Sequence, residues 1–166
     1  MSASDGHRVS IYIGVLTWAR LVRGLRIRGA GERESGAFLL GQRGADSAKV
    51  RDFRFYDDLD PSSLDSGGIS FHAVGYSALW TYCRKRKLEV LADIHTHPGP
   101  VAAQSSIDRR NPMIPVRGHV AIVLPNYAQI RLWSLKPAAV YEYEGDYRWR
   151  QCNIEGAPKV LKLRVW

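Results

Sequence analysis

"LEVLADIHTHPGPVAAQSSIDRR", residues 88–110, contains the change of pattern on which the reading of this chain turns. Residues 88–95 form a short apolar run of the length expected for a buried strand. In an extended chain the side chains at i and i+2 share a face, so His95 and His97 project together at the strand's end and Thr96 turns away. Pro98 and Pro100 cannot continue a central strand, so the chain must leave the sheet there. Ser105 or Ser106 can then cap a short helical turn that carries Asp108. Two imidazoles and a carboxylate form an N, N, O donor set with one position open, which is the composition of a catalytic zinc site and not of a closed structural one. Histidines at this spacing also occur without any metal, and these residues alone leave both readings open. Asp93 shares the strand face of His95 and is placed to orient an imidazole from behind.

Outward from this stretch the chain alternates between two periodicities. Upstream, Phe71 to Lys87 reads as a helix with Val74, Ala78, Leu79 and Tyr82 on its apolar stripe. The basic run Arg84 to Lys87 falls at its C-terminal end, where cations suit the helix dipole. "DDLDPSSLDSGGI" (57–69) is rich in turn residues and reads as a loop; the loop 57–70 is a candidate substrate-facing insertion or lid, and a plain surface loop would look the same. Strands are expected at 8–16, 36–43 and 49–56, with a helix at 17–29 that places Trp18, Leu21 and Leu25 near one face and is interrupted by Gly24. Downstream, strands are expected at 118–125 and 129–135 around a "PNYA" turn, then at 139–145, 146–153 and 159–166. The fold class is α+β, a mixed sheet with one or two helices packed on it.

The residues "HTHPGPVAAQSSID" resemble the JAMM signature of the JAB/MPN metalloprotease family: His-x-His-Pro, six residues, then Ser-x-x-Asp. His95, His97, Pro98, Ser105 and Asp108 fill every defined position. The family also carries a glutamate ahead of a hydrophobic strand that ends in glycine, and "ESGAFLLG" (34–41) is similar, with Glu34 and Gly41 in place. Ala37 departs from the glycine usual at its position. The neighbouring Glu32 is read as a solvent-facing carboxylate. The resemblance extends over residues 8–135. It implies an MPN/JAB-like fold and one zinc ion per chain, held by His95, His97 and Asp108. It further implies Glu34 as general base and Ser105 as hydrogen-bond donor to the developing oxyanion. The activity implied is hydrolysis after the C-terminal glycine of ubiquitin-like proteins or their conjugates, by deconjugation or precursor maturation. Compact bacterial members often accompany ubiquitin-like activating and conjugating enzymes, including in antiviral operons. The competing class is a non-catalytic MPN-type interaction scaffold, but such relatives typically lack one or more of these ligands.

The remaining features fit one domain spanning 1–166. The chain has 166 residues, 45% of them hydrophobic, enough to bury a core. No apolar run approaches the ~18 to 20 residues of a membrane span, and no signal peptide is evident. With two isolated cysteines, Cys83 and Cys152, a disulfide framework is not expected, and neither has a histidine partner for thiol chemistry. The expected location is the cytoplasm. The net charge of +8 is dispersed and comes with no nucleic-acid-binding motif, so a nucleic-acid partner is not expected. His7 is assigned to the N-terminal tail, His119 to a partly buried structural position, and Trp133 and Trp149 to the core or a sheet face.

Overall fold

The computed structural model describes residues 9–166; His7 and the first residue of the expected strand 8–16 lie outside this range. The elements run β1 (Ser10–Gly14), α1 (Val15–Gly29), β2 (Gly36–Arg43), β3 (Ser47–Phe55), α2 (Tyr56–Leu59), α3 (Ala73–Arg86), β4 (Glu89–Thr96), α4 (Ser106–Arg110), β5 (Val120–Leu124), β6 (Ala139–Gly145), β7 (Arg148–Cys152) and β8 (Leu161–Arg164). Among the described residues the strands form a mixed sheet in the order β7-β6-β5-β4-β2-β3-β1-β8. β4 lies at its centre, antiparallel to β2 and parallel to β5. This is the expected α+β architecture.

Each face of the sheet is sealed by one long helix. Trp18, Leu21, Val22 and Leu25 of α1 pack on Ile11, Leu39, Ile94 and Ile122, confirming the expected stripe. Gly24 is needed there, because a Cβ at that position would lie 2.2 Å from the Phe55 ring. The glycine that interrupts the pattern in sequence is what allows the helix to lie against β3. On the other face α3 meets Phe38, Leu40 and Tyr56.

The buried stripe of α3 differs from the expected one. Gly75, Leu79 and Cys83 face the core, whereas Val74 points to solvent. Leu79 faces the core and Ala78 and Tyr82 pack at its edge, as expected, while Gly75 has no side chain where the Phe71 ring packs and the Tyr82 hydroxyl donates to Asp52. The turn-rich 57–69 segment begins as the single helical turn α2 and continues as turns. It is tied down by Asp60, whose buried carboxylate accepts hydrogen bonds from the His72 backbone N–H at 2.8 Å and from Ser62, and contacts the His72 ring.

Residues 129–135 do not form the expected strand. They cross in an irregular connection from β5 to β6. Ile130 and Leu132 alternate inward against the main core, which imitates a strand, and Trp133 is 62% exposed rather than buried. The carbonyls of Ala128 and Ile130 accept hydrogen bonds from the Arg26 guanidinium, at 3.1 and 2.7 Å, in place of a neighbouring strand. Ahead of them Asn126, Tyr127 and Ala128 all take positive φ, a left-handed turn costing about 1–2 kcal/mol per residue.

Candidate metal centre

β4 ends where its apolar face gives way to the two histidines. As the i, i+2 rule requires, Ala92 and Ile94 enter the α1 core while His95 faces the opposite side with Asp93. Thr96 is fully buried and does turn away. Its Oγ1 accepts from the Ser35 N–H at 2.9 Å, and its own N–H donates to the Ser35 carbonyl at 2.9 Å. Ser35 is held again by its hydroxyl, which donates to the Leu25 carbonyl at 2.8 Å. These bonds set the start of β2 against the end of β4, in the register Gly36 opposite His95. Glu34, the residue just before, is thereby carried to the histidine pair, with its N–H donating to the Gly67 carbonyl at 2.9 Å.

His97 lies just past the strand and is clamped through its backbone. Its N–H donates to the Leu124 carbonyl at 2.8 Å, and its carbonyl accepts from the Tyr127 N–H at 2.8 Å. The left-handed turn after β5 therefore has a local use: it aims the Tyr127 N–H back at the histidine loop. Asn126 adds a second tie to the Gly99 carbonyl at 2.9 Å.

Asp108 comes from α4, and the expected cap is present. Ser105 is the N-cap: its Oγ accepts from the Asp108 N–H at 3.1 Å, while the Ser105 N–H donates to Asp108 Oδ2 at 2.6 Å. The Ser105 hydroxyl accepts in this box and carries one proton of its own to donate. Asp108 thus faces two ways, toward its own helix terminus and toward the imidazoles.

The three side chains converge. His95 Nε2 and His97 Nε2 are 3.0 Å apart, His97 Nε2 and Asp108 Oδ2 3.1 Å, and His95 Nε2 and Asp108 Oδ1 3.4 Å. Donors bound to one tetrahedral zinc ion at ~2.0–2.1 Å must stand roughly 3.3–3.4 Å from one another. The observed spacing and the N, N, O composition both fit such an ion, and this trio could hold a metal. Burial works against ionisation of Asp108, but the two imidazoles and the Ser105 side chain outweigh it and hold the carboxyl well below the usual range. Burial raises the Glu34 carboxyl above its ordinary value, against the pull of His95 and His97. Glu32 is exposed, as expected.

The site opens into a cavity of about 860 Å3 that also includes Tyr56, Gly68, Phe71, Tyr76 and Trp149. Gly68 to Ser70 of the 57–70 loop form part of its wall, so this loop does face the site. Trp149 is not a core residue: its indole N–H donates to the Arg109 carbonyl at 3.1 Å and its ring lies 4.8 Å from Tyr143. Nothing in the local pattern of "RWR" marks it as a wall of this cavity. Asp93 does hold an imidazole, but that of His119 and not of a ligand candidate; its Oδ1 lies 2.6 Å from His119 Nε2, and both residues are buried. The Tyr56 hydroxyl approaches the other Asp93 oxygen at 3.4 Å.

A model of the prokaryotic homologs of the JAB domain matches residues 24–136. The chain shares its fold with the solution structure of a protein from Desulfitobacterium hafniense, at a TM-score of 0.62 and 16% identity over 94% of each chain. It is also similar to a solution structure from Salinibacter ruber strain DSM 13855, at a TM-score of 0.53 and 19% identity over 84% of this chain and 92% of that one. The matched span contains Glu34, both histidines, Ser105 and Asp108, and the chain belongs to the prokaryotic JAB-domain family.

Proposed function

We propose that this chain is a zinc-dependent peptidase or isopeptidase that cleaves after the C-terminal glycine of a ubiquitin-like protein. The observation that carries the reading is the meeting of two imidazole nitrogens and a carboxylate at tetrahedral-edge distances, with a half-buried glutamate brought to the same cavity from another strand. When bound, zinc would supply a Lewis acid for the scissile carbonyl and lower the pKa of coordinated water to ~7.

The other roles fall to the chain itself. Glu34 takes a proton from the attacking water and passes it to the leaving amine as the C–N bond breaks. Its raised pKa, caused by burial, favours this return step. Ser105 accepts from the Asp108 N–H and turns its own proton toward the carbonyl oxygen, a contribution of about 2.7–4 kcal/mol where such donors are pre-aligned. No covalent intermediate is required. Tyr56, Phe71 and Tyr76 wall the cavity with aromatic rings, and a tail of glycines can pass such walls because it has no side chains to place. The ubiquitin-like substrate, and cooperation with activating and conjugating enzymes in an antiviral pathway, rest on the signature resemblance.

The test has two parts. Elemental analysis should find about one zinc per chain in the wild type and almost none in Asp108→Ala. The loaded enzyme should cleave a ubiquitin-like protein extended by a reporter after its terminal glycine, and Glu34→Gln should bind zinc but not cleave. A wild-type chain that takes up no metal when zinc is supplied would favour the scaffold reading instead.

A further inference from the structure

The other end of β4 opens on a second cavity, of about 980 Å3, at the top of the roughly 300–1,000 Å3 range of small-ligand sites. It shares no residue with the metal cavity. Its walls are mainly apolar, built by Ile11, Val90 and Val120 from the sheet, by Val160 just ahead of β8 and by Trp80 and Val116 at the mouth. Trp80 is 40% exposed and Val116 61%, so the mouth presents apolar surface to solvent.

The charges around this cavity are one-sided. Of its two carboxylates, Glu89 is matched by Arg43 at 3.4 Å and Glu142 by Arg150 at 2.7 Å. Arg84, Lys87 and Arg117 also line it, all three exposed, and none has a carboxylate partner among the described residues. An apolar hollow edged by three uncompensated cations is complementary to a molecule that is apolar along its body and anionic at one end. A concave site of this volume suits a small molecule better than a flat protein surface does.

The inner wall adds a connection to the chemistry. His119 lines this cavity and bonds through Nε2 to Asp93, which lines the metal cavity on the same strand face as His95. One buried residue pair therefore separates the two cavities.

We propose that this second cavity binds a small amphipathic anion, an acyl- or aryl-like body ending in a carboxylate or phosphate, with its head group held by Arg84, Lys87 and Arg117. This site is independent of the hydrolase reading and would exist in a non-catalytic chain.

Calorimetric titration of the zinc-supplied protein with decanoate and decyl phosphate, and with decanol as the uncharged homologue, tests the proposal. The result expected is saturable one-to-one binding of at least one anion, about tenfold or more tighter than decanol. The preferred anion identifies the head group as carboxylate or phosphate. Arg84→Glu and Arg117→Glu, both at exposed positions, should each weaken that binding about tenfold. His97→Ala should leave it unchanged, which separates this cavity from anion capture at the metal. No saturation by either anion below about 1 mM, equal affinity for decanol, insensitivity to both charge reversals, or loss of binding in His97→Ala would each overturn the proposal. Removal of residues 2–8, which precede Val9 on the cavity wall, should change the affinity by less than about twofold. A large gain would make that segment the occupant and equally refute a free ligand.

Discussion

The two ends of β4 solve opposite problems. At the Thr96 end nearly every polar group has a defined bond: Ser35 is held through its backbone N–H, its carbonyl and its hydroxyl, His97 is clamped on both sides of its peptide, and Asp108 is fixed by its own helix cap. At the Glu89 end the walls are apolar and three cations have no carboxylate partner among the described residues. Directional bonds fix atoms to fractions of an ångström, which chemistry at a metal demands. Apolar walls with loose charges tolerate a range of shapes, which suits recognition. The contrast is one of tolerance to change, and mutation should expose it.

The largest effect is expected at the ordered end. Asp108→Ala removes both a ligand candidate and half of the capping box, so on the proposed function zinc should fall from about one per chain to near zero and hydrolysis with it. Glu34→Gln should keep the metal and lower kcat by ~10²–10⁴; retained activity would move the base elsewhere. Ser105→Ala should lower kcat by ~10²–10³ through loss of the proposed oxyanion donor and stability by about 1 kcal/mol through the lost cap. Denaturation and kinetics measured on the same variant separate these two consequences.

Two smaller effects concern the frame around the site. Gly24→Ala should destabilise the fold by about 1–3 kcal/mol in chemical denaturation, since the new Cβ meets the Phe55 ring, despite alanine's better helix propensity. For Asp60, burial disfavours the charged form, but hydrogen bonds from the His72 backbone, the His72 ring and Ser62 outweigh it, so the folded pKa lies below the ordinary value. The stabilisation is therefore present above the unfolded pKa of ~3.9 and is lost as pH falls through the folded value. Wild-type stability should drop more steeply below about pH 4 than that of Asp60→Asn, and equal slopes would remove Asp60 from its role as loop anchor. Trp133→Ala, outside both cavities, should change stability by no more than ~0.5 kcal/mol.

What could be read from the chain before its fold was known follows the same division. The histidine pair was legible because its geometry is local: strand alternation, a proline stop and a capped turn operate over a few residues. The Ser105 cap was legible for the same reason, whereas Glu34 was separated from Glu32 only by the family resemblance. Residues 129–135 misled because apolar alternation marks a half-buried segment, whether its carbonyls meet a strand or the guanidinium of Arg26. On α3 only Val74 departs from the expected stripe, and Gly75 escaped notice because glycine carries no hydrophobicity to count, yet it marks the closest approach. Trp149 in the site wall and the Asp93–His119 pair were out of reach, since each joins residues far apart in the chain. The pairing of Asp93 with His119 and not with a ligand candidate is a tertiary fact.

The three ligand candidates all come from residues 95–108, whereas Glu34 is brought in by the Ser35–Thr96 contact between positions 61 residues apart. Loop closure over that distance costs entropy that the short ligand segment does not incur. On the proposed roles, partial opening at the start of β2 would leave a bound metal seated and take Glu34 away. Metal content and catalytic competence would then be separable, and a preparation full of zinc would still be largely inert. Hydrogen exchange at the Ser35 and Thr96 amides would report the working fraction more faithfully than any metal assay.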